Sequence, residues 1–278
     1  MPELPEVEIH ARKLRDWMPG RRILRATILD EKLLGDPDPD AWQPILAGRT
    51  VTAVRREAKY LFLDLDPSPA GALHTLVAHL RMTGRFVQDT YVVGTPAHPT
   101  RFAMTLDDGT RVRFEDRRRF GRLWLSPTPD VAALPEVAHL GPDALRVPLS
   151  PEALGALCAR SHRPIKVFLM DQRRIGGLGN ICAIEILFRA RIAPTIPAAL
   201  LPAAAIARIA RIIPEYLEWA IDRQSRRTLL YIGEKGSENI FPIYHREGTP
   251  CPNCATAIAR IVQAGRSTYY CPACQSGS

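Results

Sequence analysis

Two Cys-x-x-Cys pairs lie near the end of the chain: Cys251 and Cys254, then Cys271 and Cys274 after sixteen intervening residues. Four thiolates at this spacing form a closed tetrahedral zinc site, with no position left for a substrate, so one structural Zn²⁺ is predicted. Between the pairs Ala264-Gly265 reads as a turn and Arg266 follows it, which puts a guanidinium at a hairpin tip away from the metal. A second constellation stands at the other end. Pro2 follows Met1, so removal of Met1 exposes a secondary amine. An α-amino group has a pKa of about 7.7–8.0 against about 10.4 for lysine, so far more of it is free base at neutral pH. Attack by a secondary amine on a sugar C1′ gives an iminium ion that keeps its charge and acidifies the adjacent C–H; Glu3, next door, is suited to acid or base work. The same proline also suits an ordinary helix start.

Three further motifs carry polar chemistry. Gly176-Gly177-Leu178-Gly179-Asn180 precedes a helical run. Its glycines let a phosphate approach the backbone, and Asn180 is a good N-cap for a helix whose amides would face an anion; a plain inter-helix turn is the other reading. No strand precedes it, which excludes a dinucleotide fingerprint. Arg117-Arg118-Arg119-Phe120-Gly121 follows a strand and suits phosphate contact with stacking or wedging, or else a solvated basic turn. Lys59 opens one strand, and His79-Leu80-Arg81-Met82-Thr83-Gly84 ends another.

These residues need a scaffold, and 278 residues at 46% hydrophobic supply a core. The Leu4, Val7, Ala11, Leu14, Met18 stripe predicts a helix stopped by Pro19-Gly20. Short β-rich runs follow at 23–29, 50–55, 60–65, 76–80, 102–106, 111–114 and 123–125, with a hairpin signal at Asp108-Gly109. Helical patterning returns at 151–160, 166–171, 181–189 and 200–222, where Pro214 is expected to kink or split the last helix. Residues 224–250 read as a polar loop. The expected class is α+β: a helix plus β-sandwich over 1–128, a linker over 129–150, a helical domain over 151–240 and a zinc hairpin over 241–278.

Net charge is +8, and arginines cluster at 111–122, 160–166, 173–174 and 223–227, so a polyanion is the natural partner. No apolar run is long enough to span a membrane, and the acidic N-terminus is unlike a signal peptide; a cytosolic protein is expected. Cys158 and Cys182 stand apart from the metal pattern.

Taken together the motifs resemble the formamidopyrimidine-DNA glycosylase family, which includes the endonuclease VIII group. PELPEVE at the start, AKYL around Lys59, HLRMTG around Met82, RRFG at 118–121, LMDQ at 169–172, GLGN at 177–180 and the terminal hairpin recur in family order. The resemblance implies a helix-two-turn-helix domain bearing the zinc finger, and excision of oxidised bases from double-stranded DNA by a monomer, followed by strand nicking. It implies Pro2 as the Schiff-base nucleophile, Glu3 as proton donor, Lys59 in β-elimination and Arg266 in phosphate grip and δ-elimination. His98, Arg118, Asn180 and Lys166 fall among DNA-binding residues. Met82, Arg118 and Phe120 fill the void of the flipped nucleotide. Formamidopyrimidines and 8-oxoguanine are the implied substrates; a short 228–244 stretch adds hydantoins and oxidised pyrimidines. Two further departures are Cys182, where tyrosine is usual, and His245, where glycine is usual. Two rival readings are a catalytically inactive zinc protein that binds damaged DNA and a zinc-ribbon regulator outside the family; a regulator has no need of Pro2, Glu3, Lys59 and Arg266, and all four are present.

Overall fold

The computed structural model describes residues 2–35, 38–89 and 98–276, so the fate of Met1 lies outside the described residues. Two compact units emerge: Met1–Pro2 with Glu6–Ala138, and Glu3–Pro5 with His139–Ser278. Among the described residues no helix is long and apolar enough to cross a membrane.

In the first unit helix α1 (Leu4–Trp17) leads into β1 (Ile23–Ile28), the short α2 (Trp42–Leu46), and β2 (Val51–Glu57), β3 (Tyr60–Leu65), β4 (His74–His79), β5 (Arg85–Asp89), β6 (Thr100–Leu106), β7 (Arg111–Glu115) and β8 (Arg122–Pro127). Two four-stranded antiparallel sheets form, in the orders β1-β6-β7-β5 and β2-β3-β4-β8. Val7, Ala11, Leu14 and Met18 of the helical stripe join Leu61, Leu63, Phe86, Phe102, Met104 and Phe114 in one core. Leu4, the first residue of that stripe, groups instead with the second unit.

Strand β5 has no counterpart in the sequence reading, because Arg85-Phe86-Val87-Gln88-Asp89 does not alternate. Its place comes from pairing along β7, reinforced by Arg113, which donates Nε to Asp89 Oδ2 (2.8 Å) and Nη2 to Asp89 Oδ1 (2.7 Å).

The second unit holds α3 (Pro151–Ala159), α4 (Ile165–Leu169), α5 (Asn180–Ala190), α6 (Ala203–Ser225) and the antiparallel pair β9 (Ala259–Gln263) and β10 (Arg266–Tyr270). Helix α3 starts as capping rules require: the Ser150 hydroxyl accepts from the Ala153 amide at 3.2 Å, with proline in the first turn. Helix α6 is not split at Pro214 but runs 23 residues through it. An interior proline costs roughly 3 kcal/mol, which burial of Ile209, Ile212, Ile213, Tyr216 and Leu217 more than offsets. The 224–250 segment is less polar than its composition: Leu229, Tyr231, Phe241 and Ile243 are buried anchors.

Candidate active site and nucleic-acid interface

The start of α5 organises the second unit. Asn180 is its first helical residue, and Gly179, which has no side chain, occupies the cap position, so the expected Asn180 N-cap is corrected by one residue. The capping group comes from the beginning of the chain. Glu3 Oε1 accepts from the Ile181 amide and Glu3 Oε2 from the Cys182 amide, each at 2.9 Å, with Glu3 2% exposed. An anion at a helix N-terminus is the favoured arrangement. The Leu4 amide donates to the Gly177 carbonyl at 3.2 Å. A methyl group on Gly177 would overlap the Leu4 side chain, and one on Gly179 would overlap the Glu3 carboxylate. These glycines therefore admit the protein's own N-terminal residues, where a phosphate was expected, and the amides expected to face an anion already hold a carboxylate.

Around this carboxylate the unit gathers the other polar residues. Asn180 donates Nδ2 to the Ser267 carbonyl at 3.0 Å, tying α5 to β10, while its Oδ1 is buried without a hydrogen-bond partner. Arg266 pairs with Gln263 across a turn whose residues Ala264 (φ 49) and Gly265 (φ 71) are both left-handed, and it is exposed at the hairpin tip as the spacing predicted. Lys166 is fully buried rather than part of the exposed Arg160–Lys166 run, and its ammonium has no hydrogen-bond partner. Burial and the positive Arg266 push it down to about 8, with Glu3 pulling the other way.

Tyr244, which the sequence reading did not single out as a site residue, belongs to the same group. Burial first, then Glu3, raise its phenol above the ordinary range, while Asn180 and Arg266 oppose the shift. Its backbone is anchored by Glu185, whose Oε1 accepts from the Ile243 amide (3.1 Å) and the Tyr244 amide (2.9 Å). Glu185 is wholly buried, and burial lifts its carboxyl to about 7 against the two amides, Arg189 and Arg246. Between the unfolded value near 4.3 and about 7, the folded protein keeps a proton that the unfolded chain has lost, so this residue makes stability fall as pH rises through that window. Glu185→Gln, which cannot ionise, is expected to remove roughly 3 kcal/mol of the stability difference between pH 5 and pH 8. Denaturant melts of both proteins at the two pH values measure it; an equal pH dependence in the variant counts against the assignment.

The four cysteine sulfurs lie within 4.8 Å of one another. Separations of 3.9 Å (Cys251 to Cys274), 3.5 Å (Cys254 to Cys271) and 3.3 Å (Cys254 to Cys274) bracket the edge of about 3.8 Å expected for a tetrahedron with 2.3 Å Zn–S bonds. The residues present therefore fit one zinc ion with no open position. Cys251 and Cys271 pack with Ile258, Tyr269, Ile243 and the Ile184 and Phe188 side chains of α5, so the metal site is built onto the same helix that Glu3 caps.

In the first unit Pro2 is buried and is bonded through its carbonyl to Glu3. Lys59 is also buried, in the two-residue turn between β2 and β3 rather than at a strand start, after Ala58 at φ 49. Arg56 holds this turn: Nη1 donates to the Ala58 carbonyl at 2.9 Å and Nε to Glu8 Oε2 at 2.6 Å. His79 ends β4 with its ring 4.5 Å from Tyr60. Its Nδ1 accepts from the Arg81 amide at 2.9 Å, and burial, with Arg81 and Lys59, pushes its pKa down to about 3.

Two turns of this unit share one buried anchor. Asp116 Oδ1 accepts from the Arg118 amide (3.1 Å) and the Thr83 hydroxyl, and its Oδ2 accepts from the Gly121 amide at 2.7 Å. Arg119 forms a bidentate pair with Asp30 at 2.6 and 2.7 Å, so this member of the basic run is a structural anchor. Met82 and Phe120 thereby line one cavity of about 390 Å³ with Arg81 and Arg122. The exposed Arg118 guanidinium sits 4.8 Å from the Phe120 ring centroid. The sequence-predicted trio is thus assembled in one place. His98 is half-buried, two residues before β6.

Comparison with known proteins places this arrangement. Residues 1–123 match the formamidopyrimidine-DNA glycosylase N-terminal domain, 140–230 the formamidopyrimidine-DNA glycosylase H2TH domain, and 248–277 a zinc finger found in FPG and IleRS. The formamidopyrimidine-DNA glycosylase of Chloroflexus aurantiacus is 40% identical over 99% of this chain and 98% of its own length. That of Pelotomaculum thermopropionicum is 38% identical over 99% of both. Among solved structures, Lactococcus lactis Fpg in complex with DNA containing an abasic site superposes with a TM-score of 0.86 at 27% identity, covering 99% of each chain. MutM (Fpg) from Thermus thermophilus gives 0.81 at 35% identity over the full length of both. The chain belongs to the formamidopyrimidine-DNA glycosylase family.

Proposed function

We propose that this protein is a DNA-repair glycosylase and abasic-site lyase that excises oxidised bases and nicks the strand. The carrying observation is the pair Pro2-Glu3: a proline whose nitrogen becomes a secondary amine once Met1 is removed, followed directly by a glutamate whose carboxylate two α5 amides hold in one direction. With Met1 removed, the Pro2 nitrogen attacks C1′ of a damaged nucleoside extruded from the helix, the base leaves, and Glu3 provides the proton that opening of the sugar requires. The iminium ion acidifies the C2′ proton. Its loss, with Lys59 acting in proton transfer or at a phosphate, expels the 3′ phosphate. A second elimination with Arg266 on the phosphate expels the 5′ one, leaving a one-nucleotide gap.

In this reading Met82, Arg118 and Phe120 fill the space of the extruded nucleotide, His98 and Asn180 contact DNA, and Lys166 lends positive charge from beneath the site. Zinc, when bound by the four cysteines, supports the hairpin and takes no part in bond breaking. Related Fpg structures hold DNA with an abasic site, an oxidised pyrimidine, carbocyclic 8-oxoguanine or a formamidopyrimidine, which supports oxidised purines and pyrimidines as substrates here. The functional divisions are the helix-and-sandwich domain (1–128), the helical domain (151–240) and the zinc hairpin (241–278), acting on bacterial nucleoid DNA. Borohydride is expected to trap a covalent adduct through Pro2 on a duplex containing an abasic site. Damage-specific binding with no adduct supports the inactive-binder alternative; an adduct mapped to Lys59 overturns the nucleophile.

A further inference from the structure

We propose that His245 is a phosphate-contacting residue of the DNA interface, an inference that rests on the repair reading above. His245 has φ +59, a left-handed backbone that favours glycine. A bulky residue there is strained, and burial of its side chain does not offset the strain, because His245 is exposed. What the side chain does have is a fixed ring. The imidazole lies 4.5 Å from Tyr244 at an interplanar angle of 76° and 5.5 Å from Tyr269 at 32°.

Both residues beside it in sequence are themselves anchored. The Tyr244 amide is held by Glu185, and Arg246 donates Nε to the Phe241 carbonyl (2.8 Å) and Nη2 to the Asn239 carbonyl (3.1 Å). Among the described residues neither ring nitrogen of His245 takes part in a hydrogen bond or ion pair. An imidazole clamped by two rings, with its donor unused, is preorganised for an external acceptor. The acceptor is indicated by its neighbour: the Tyr244 phenol stands by Asn180 and feels the charges of Glu3 and Arg266, and in the repair reading Asn180 and Arg266 contact the damaged strand. An anionic backbone oxygen is the acceptor DNA presents most abundantly there.

Two variants separate this role from a structural one. His245→Gly relieves the left-handed strain and is expected to melt no lower than the wild type; His245→Phe keeps an aromatic ring and removes the donor. Both are expected to bind a duplex carrying a tetrahydrofuran abasic analogue about tenfold more weakly, the loss of one charge-assisted hydrogen bond. Fluorescence anisotropy over a salt series measures this. Either variant binding within twofold of the wild type overturns the inference while the repair reading stands. A wild-type protein that shows no preference for the abasic duplex overturns both.

Discussion

Glu3→Gln is expected to slow base release by about two to four orders of magnitude, the range for loss of a positioned acid–base group. The same substitution has a second, structural consequence. The carboxylate offers an oxygen to each of the Ile181 and Cys182 amides, whereas a carboxamide offers one oxygen and turns two N–H donors toward the other amide. Loss of one capping bond costs about 1 kcal/mol, so melting is expected to fall by a few degrees. Nicking of a preformed abasic site bypasses base departure and is expected to suffer less. Single-turnover rates on a formamidopyrimidine duplex and on an abasic duplex separate the two steps. Base release within threefold of the wild type would remove Glu3 from the chemistry and leave it only as a cap.

Removal of the metal is expected to have an effect of comparable size by a different route. Beyond the metal, the hairpin rests on a small apolar cluster shared with Ile184 and Phe188 of α5. Structural zinc contributes on the order of 10 kcal/mol to folding of finger-sized modules, more than such a cluster supplies. Cys254→Ser or chelation is therefore expected to unfold the 251–274 segment while α5 and α6 persist. Arg266 then loses its fixed position, and Asn180 loses the Ser267 carbonyl that accepts from it. Affinity for abasic duplex is expected to drop at least about a hundredfold, with far-UV helical signal largely kept. The decisive measurement pairs zinc content with affinity: zinc-free protein that binds DNA as the wild type does would show the hairpin to be dispensable.

Much of the scaffold was legible because its causes are local. The α1 stripe, the Asp108-Gly109 hairpin, the helix beginning at Pro151 and the cysteine spacing each act within a few residues of the chain, and chelate geometry leaves four clustered thiolates few alternatives. The Arg266 tip followed from the two-residue turn beside it. Strand β5 escaped because its identity lies in partners on β7, and the split allowed for at Pro214 does not occur because helix rules do not include the burial that holds α6 together.

The residue types of the site were likewise visible in sequence, while their roles in the structure were not. Lys166 closes a basic run that looks like surface and is fully buried; Tyr244 sits in a segment that reads as polar loop and reaches the Glu3 group through an anchor on α5. By itself the sequence determined which side chains are available, where the longer helices and the alternating strands lie, and that four cysteines hold one metal. Tertiary structure alone decided that the anion at the head of α5 is Glu3, 178 residues from the first amide it caps, that Gly179 makes room for its carboxylate and that Gly177 makes room for the Leu4 side chain beside it. The reason is physical: turns, caps and metal loops close over short chain distances with a small entropy cost, whereas a carboxylate from the chain start reaches those amides only after the whole fold has brought it there.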